Sequence, residues 1–556
     1  MSKEKIARIG LPELYYSLQG YTKEKFFKDL IAGIIVAIVA LPLAIAFGIA
    51  SGVSPTEGII TAILGGFIVS ALGGSTVQIG GPTGAFIVIV FGIIQEFGIA
   101  GLAVATVMAG AMLMLLGFLR LGTVIRFIPY PIILGFTAGI AVTIFTTQVK
   151  DILGLQIESV PGDFIGKWQT YFAHLDSWNP WSLLFTVLAV LTIVYAPKIH
   201  RQIPGSLLAL IVLTLGGYAL TSFGMPNAPA TIGDHFTFTS GLPEFQTLDL
   251  SVATLKKLLP SAFTIAMLGA IESLLSASVA DGVTGARHNS NVELIAQGAA
   301  NVVVPFFGGI PVTGAIARTM TNINNGGRTP VAGIVHAVML LAILLFLGPL
   351  TAYIPLAALA GVLVIVSYNM SGWRSCLAIF KGPKSDIVVL LVTFFLTVLI
   401  DLTVAIEIGM LLAVLLFMRR LQKATGITRH DKQFDALSHS DTDRKEVLDV
   451  PDGVDVYEIA GPFFFGMANS FDETMRQVHH KPTARIVRMR RVPFVDSTAL
   501  HNLSMMADFH KKQGIHLVLS GIQPEVYKEL EQSGLLDELG RENVCDNIHK
   551  ALERVR

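Results

Sequence analysis

The tripeptide Thr83-Gly84-Ala85 returns 230 residues later as Thr313-Gly314-Ala315, each time behind glycines and a proline and at the head of a short apolar run. The same shift lays Ile49-Ala50-Ser51-Gly52-Val53 on Val279-Ala280-Asp281-Gly282-Val283, and Ala40-Leu41-Pro42 on Ala270-Ile271-Glu272. Each half therefore carries a hydrophobic helix interrupted by a polar or helix-breaking residue, followed 41 residues later by a Gly/Pro break and a short helix. Paired, interrupted apolar segments at corresponding positions of two halves are the sequence mark of a binding site near the membrane midplane. The chain reads as a duplicated membrane protein.

Hydrophobic residues make up 52% of the 556 and charged residues 14%, against about 25% charged in soluble domains. The average hides two unlike pieces. Up to about Phe417 charges are scarce and apolar runs recur; from Arg419 onward the sequence is charged. The net charge of zero averages over both pieces and says little about partners. A helix needs about 20 apolar residues to span a bilayer, and spans are predicted near 28–49, 58–74, 84–97, 101–120, 128–149, 181–197 and 205–223. A second set follows near 260–281, 291–307, 314–325, 330–350, 352–369, 386–400 and 402–418. The third and tenth are too short to cross alone, so Gly80-Gly81-Pro82 and Gly308-Gly309-Ile310-Pro311-Val312 are expected to supply extended lead-ins, which survive at that depth only inside protein or beside a wet cavity.

Seven spans per repeat force the halves into opposite orientations. Lys23, Lys25, Lys28, Arg120, Arg126, Lys198, Arg201, Arg287, Arg328, Arg374, Lys381, Lys384, Arg419, Arg420 and Lys423 then all fall on one side, which the positive-inside rule makes cytoplasmic. Lys150, Lys167, Lys256 and Lys257 are exceptions on the other side. The expected organisation is a cytoplasmic segment 1–27, an all-α membrane domain 28–420 with repeats 28–223 and 260–418, a linker 421–451, and a small α/β domain 452–556. In that last domain Val454–Ile459, Ala484–Met489 and His516–Ser520 read as strands, and Ser497–Gln513, Glu525–Ser533 and Asn547–Val555 as helices. No cleavable signal peptide is expected, since the first apolar run starts late and reads as a span.

Two short helices meeting head to head would aim unpaired N–H groups and the positive ends of their dipoles at one pocket, which suits an anion. Thr83 and Thr313 offer caps or hydroxyl donors, and Gly84, Ala85, Gly314 and Ala315 allow close backbone approach; Phe86 is placed to roof the pocket. Ile316 and Ala317 open the second helix, and Arg318, one turn in, either adds positive charge at the pocket, pairs with Glu272, or reaches for water. Glu272 stands inside the apolar span Phe263–Ala280, where a charge costs at least about 2.5–3.5 kcal/mol, so it is a functional candidate. It either takes up a proton when substrate binds or coordinates Na⁺ together with Ser273 and Ser276. Asp281, Glu96, Glu407 and Asp401 read as boundary residues, and Asn322, Asn324 and Asn325 as the end of the tenth span.

The runs Ala40-Leu41-Pro42-Leu43-Ala44-Ile45-Ala46-Phe47-Gly48, Gly81-Pro82-Thr83-Gly84 and Gly269-Ala270-Ile271-Glu272-Ser273-Leu274-Leu275 resemble the sulfate permease family (SulP), prokaryotic relatives of the solute carrier 26 anion transporters. Arg287-His288-Asn289, Gln297-Gly298 and Gly326-Gly327-Arg328-Thr329 extend the resemblance over nearly the whole chain. It implies a core domain of spans one to four and eight to eleven moving against a gate domain in an elevator-like cycle. It further implies a homodimer in the bacterial inner membrane, with both termini cytoplasmic. It also implies a C-terminal STAS domain, which Val495-Asp496-Ser497-Thr498-Ala499 resembles; Ser497 occupies the position phosphorylated in anti-sigma factor antagonists, while a serine at a helix start is also ordinary capping chemistry.

The resemblance extends to both bacterial dicarboxylate and cyanobacterial bicarbonate transporters, so bicarbonate, sulfate and fumarate are the candidate anions. The sodium-coupled bicarbonate carriers place Asp at Glu272, threonine at Ser276 and threonine at Ile316, so proton coupling is favoured over sodium. A passive anion channel and a receptor signalling through the soluble domain are the rivals. No phosphate-cradling loop or His/Cys cluster points to an enzyme, and neither a cofactor nor a nucleic-acid partner is expected. Cys376 and Cys545 read as reduced thiols, and the soluble domain as the place for a cytoplasmic protein partner.

Overall fold

A computed structural model describes residues 10–123, 129–157, 160–199, 204–225, 227–236, 245–249, 251–400, 402–430, 433–435, 447–467 and 482–556. Arg126, Arg201, Asp401 and much of the expected linker lie outside these. The chain divides into two compact units, one up to Leu411 and one from Leu412.

The first unit is helical. Thr22 caps α1 (Lys23–Ala50) and Ser54 caps α2 (Pro55–Leu72), where the first turn closes a reciprocal Ser54–Glu57 capping box. The lead-in β1 (Gly80–Gly81) passes through a 3₁₀ turn, Gly84–Phe86, into α3 (Ile87–Phe118). Two predicted spans, 84–97 and 101–120, are thus one helical run, broken at Gly98, whose φ of 71° and ψ of 179° no helix contains. Next come α4 (Tyr130–Leu153), α5 (Phe164–Ala173), α6 (Pro180–Ile199), α7 (Gly205–Ser222) and α8 (Val252–Thr284), which is longer than the predicted 260–281. Then α9 (Ser290–Val303), capped by Asn289, leads to β2 (Thr313–Gly314) and the nine-residue α10 (Ile316–Asn324). The unit continues through α11 (Val331–Leu347), α12 (Leu356–Met370) and α13 (Lys384–Leu399) into α14 (Leu402–Ala424). Among the described residues, nine stretches are long and apolar enough to cross a membrane.

The helices pack in two groups. Helix α3 lies against α8 and α9, and α11 against α1 and α2; α4 lies against α12 and α13, and α6 against α7 and α12. Close approach depends on glycines: a β-carbon on Gly110 of α3 would stand 2.6 Å from Gly298 O of α9, and one on Gly298 the same distance from Gly110 O. Such small-residue contacts let membrane helices gain van der Waals packing, since lipid gives them no hydrophobic drive to associate.

The second unit holds a five-stranded sheet in the order β3 (Gly426–His430), β4 (Val454–Ala460), β5 (Ala484–Arg491), β6 (His516–Ser520), β7 (Val544–Cys545). The first pair is antiparallel and the rest are parallel. Helices α15 (Ser497–Gln513), α16 (Pro524–Gln532) and α17 (Ile548–Val555) cover it. Tyr457, Ile459, Val487 and Met489 face one apolar core with Leu503 of α15, while Val456, Ile486 and Val518 face another with Ile548 and Leu552 of α17. The stretch read as a linker therefore supplies an edge strand of this sheet.

Candidate functional site

The two Gly/Pro breaks meet. Gly80 pairs with Gly314 and Gly81 with Thr313, in antiparallel register, so corresponding segments of the two halves run in opposite directions where they cross. Residues on either side bind this crossing down: Ala315 N donates to Ile79 O (2.9 Å), Ile79 N to Thr319 Oγ1 (3.1 Å), and Asn322 Nδ2 to Val77 O (2.9 Å).

Both helix starts leave the crossing without a side-chain cap, at Thr83 and at Ala315. Among the described residues no acceptor meets the amides of Gly84, Ala85, Ile316, Ala317 or Arg318. Ala317 is exposed and Ile316 half-buried, so the second helix start opens onto accessible space. Uncapped amides at a helix start carry partial positive charge and bind anions. Phe86 is fully buried, with its ring tip toward Gly269 of α8. Gly84 faces Met370 and Val366 of α12 and Ile144 of α4.

The two threonines differ. Thr83 Oγ1 is buried with no partner and caps nothing. Thr313 lies inside β2, before the helix, and its hydroxyl meets Ser273 Oγ (2.8 Å) and donates to Gly269 O (3.3 Å). Ser273 Oγ also accepts from Gly314 N (3.1 Å), and Ser276 Oγ donates to Thr319 Oγ1 (3.5 Å). Residues 269, 272, 273 and 276 share one face of α8 by helical spacing, which brings Glu272 to this cluster. Glu272 is 8% exposed and, among the described residues, has neither a hydrogen bond nor an ion pair.

Arg318 neither pairs with Glu272 nor reaches the surface. It is 1% exposed, and its Nη2 donates to Pro82 O (2.7 Å), tying α10 back to the first break. Its Nη1 fills the space that a β-carbon on Gly81 would need, while Nε and Nη1 have no partner. The positive charge is therefore at the crossing, with two nitrogens, Nε and Nη1, to spare.

Glu272 is not alone at depth. Glu293 of α9 is fully buried and accepts from Gly74 N (2.9 Å), Gln78 Nε2 (2.8 Å) and Gln297 Nε2 (2.9 Å). Gln78 Nε2 also donates to Ser273 O (3.2 Å), so this acid holds the lead-in against α8. Asp29 of α1, likewise buried, accepts from Arg328 N (2.9 Å), the Thr329 hydroxyl and Tyr21 OH (2.8 Å). Both lie within predicted spans, which was the signal available for them. His336 of α11 is also buried beside Gly66, with neither ring nitrogen partnered. At the span boundary, Asp281 pairs with His288 (2.7 Å). Asn325 ends α10, whereas Asn322 reaches back to the lead-in.

In the second unit Asp496, not Ser497, caps α15: its carboxylate accepts from Ala499 N (2.8 Å) and from Phe465 N (2.9 Å). Ser497 is the first helical residue and is exposed. The capping reading of Ser497 is thereby overturned.

Comparison with known proteins decides the family. A profile of the sulfate permease family matches residues 26–393, and one of the STAS domain matches residues 447–551. The chain belongs to the sulfate permease family. This transporter is 40% identical over 531 residues to a Bacillus subtilis protein named "Putative sulfate transporter YvdB", covering 95% of this chain and 98% of that one. It is 32% identical over 459 residues to the bicarbonate transporter BicA of Picosynechococcus, covering 80% and 79%. The solved transmembrane domain of a cyanobacterial BicA aligns with a TM-score of 0.61 and 30% identity over 71% of this chain and 98% of its own length. The murine Slc26a9 anion transporter in the inward-facing state shares the fold, with a TM-score of 0.87, 19% identity, and 100% and 95% coverage. The chain is a membrane transporter rather than an enzyme, with a helical membrane domain and a C-terminal STAS domain.

Proposed function

We propose that this transporter is a proton-coupled symporter of a small oxyanion, bound between the amide-bearing starts of α3 and α10, with Glu272 carrying the proton. Relatives named for sulfate and for bicarbonate support those two anions as candidates, and a dicarboxylate such as fumarate is the third. The observation that carries the reading is the isolation of Glu272: among the described residues this largely buried carboxyl has neither a cation nor a donor, so its charge is costly and a proton relieves it. Thr83, Gly84, Ala85, Phe86, Thr313, Gly314, Ala315, Ile316, Ala317 and Arg318 frame the anion; the α3–α8–α9 group moves against the α4–α12–α13 group in an elevator-like cycle. The assembly is a homodimer in the bacterial inner membrane with cytoplasmic termini, and Ser497 is a regulatory position where the STAS domain meets a protein partner.

Sodium coupling is the second reading, because Thr319 brings a second hydroxyl beside Ser276. It is disfavoured because the hydroxyls of Ser273, Ser276, Thr313 and Thr319 already bond one another or backbone. The test is uptake of labelled bicarbonate, sulfate and fumarate into proteoliposomes under separate proton and sodium gradients. Wild-type protein should concentrate one of them under a proton gradient, and Glu272→Gln, which cannot carry the proton, should abolish that accumulation. Undiminished accumulation by the variant, or dependence on sodium alone, rejects proton coupling. Downhill flux without accumulation points to a channel.

A further inference from the structure

Lys150, Lys167, Lys256 and Lys257 break the charge rule that the other basic residues obey, and the structure gives Lys167 a setting that explains its presence. A cavity of about 270 Å³ lies between the two packing groups, with Ile89 of α3 and Thr264 of α8 on one side and Thr143 of α4, Lys167 of α5 and Thr397 of α13 on the other. Its wall along α3 begins at Val88, within one turn of Phe86, and ends at Glu96, a run of about 12 Å at helical rise. It therefore runs along α3 from just beyond the uncapped helix start towards the side on which the four odd lysines fall.

Lys167 is 3% exposed. Its Nζ donates to Gly162 O (2.7 Å) and sits 5.1 Å from the centre of the Phe91 ring of α3. Among the described residues no carboxylate pairs with it. Asp163, next to it in the cavity wall, uses Oδ2 to accept Gly166 N (2.7 Å) at the start of α5. Glu96 is exposed at the far end. Burial pushes the ammonium below the ordinary lysine range, with Asp163 opposing the shift. The Gly162 carbonyl takes one of the three ammonium donors and leaves two for the cavity, and a buried cation without a counter-ion is costly. Lys257 of α8 lies 5.0 Å over Phe97, one and a half turns further along α3, so two ammonium groups flank the same half-helix.

We propose that Lys167 is a docking residue for the anion in the outer access route: a small oxyanion enters the cavity, takes the free donors of Nζ as its first protein contact, and passes along α3 to the helix starts. This rests on the transport reading above. The test is initial uptake by intact cells expressing the full-length chain, where only the outer face meets labelled anion, normalised to membrane-inserted protein. Lys167→Gln should raise KM about tenfold, the worth of one charge-assisted hydrogen bond, with kcat little changed, and Lys167→Arg should restore the wild-type KM. An unchanged KM in Lys167→Gln overturns the proposal, as does an equal fall of kcat in both variants, which is the pattern of a structural lysine. Wild-type cells that take up none of the three anions overturn the transport reading and this proposal together; wild-type uptake with an unmoved Lys167→Gln KM overturns this one alone.

Discussion

At the scale of single residues, the crossing of β1 and β2 is held by atoms that occupy the places of missing β-carbons. Gln78 Nε2 stands where a β-carbon on Gly314 would fall, and that same nitrogen reaches Glu293 and Ser273 O. Gly314→Ala must displace the amide from both, leaving a buried carboxylate short of a donor. Overpacking of this kind costs about 1–3 kcal/mol, and the displaced lead-in should also lower the rate of gradient-driven uptake. A fall of several degrees in the melting temperature of the purified protein, with reduced uptake, is expected; Gly282→Ala, where nothing lies within 4 Å, should change neither. Equal behaviour of the two variants would remove Gln78 from the account. The sequence pointed to Gly314 through its repeat and to Glu272 through its isolation in an apolar run. Glu293 escaped because it sits one turn inside its span, as boundary acids do, and its burial is made by a segment 219 residues away at Gly74.

At the scale of elements, hydrophobic patterning located the helices and strands well where one face is apolar. All six secondary-structure elements expected in the soluble domain are present, four of them shifted by one or two residues at an end, because alternating or helically spaced apolar residues face two separate cores. Strand β3 was missed: Gly-Ile-Thr-Arg-His has little apolar alternation, and its place is fixed by antiparallel pairing with β4. Packing of α15 against the sheet also traps His510. Its Nδ1 donates to Met506 O (2.6 Å), so Nε2 accepts from Arg485 Nη1 (2.8 Å). Asp455, Arg429 and Tyr457 surround the same guanidinium. Burial, helped by Arg485 and opposed by the Met506 bond, holds the imidazole below its ordinary value of 6.5. Below that pH the unfolded chain binds a proton that the folded one resists, so stability is complete above about 6.5 and declines as pH falls. Hydrogen exchange at β4 and β5, corrected for intrinsic rates, should therefore speed up between about pH 7 and 5.5, and His510→Gln should flatten that response. A pH response equal in both proteins would place the acid sensitivity elsewhere.

At the scale of the whole molecule, the two units divide the labour unequally. Every residue proposed to touch anion or proton lies between Thr83 and Arg318, and the main apolar core of the membrane unit ends at Ile406. The second unit has its own cores, built from its own strands and helices. The sulfate permease profile stops at residue 393 and the STAS profile starts at 447. A cyanobacterial relative's transmembrane domain exists as a solved structure by itself. Among the described residues, none of the contacts made at the β1–β2 crossing and its helix starts draws on a residue beyond Met370. A chain stopped after Ala424, at the end of α14, should therefore insert, purify as a single species and accumulate anion with the wild-type KM. The soluble unit then acts as a modulator. Coupling between distant sites is typically about 1–3 kcal/mol, so its loss should change kcat by no more than about 150-fold in either direction and leave the coupling ion unaltered. The measurement is uptake by the truncated and full-length proteins in the same liposomes, under the same proton gradient. A truncated protein that folds, yet binds no anion or changes its coupling ion, would move part of the transport machinery into the second unit and undo this division.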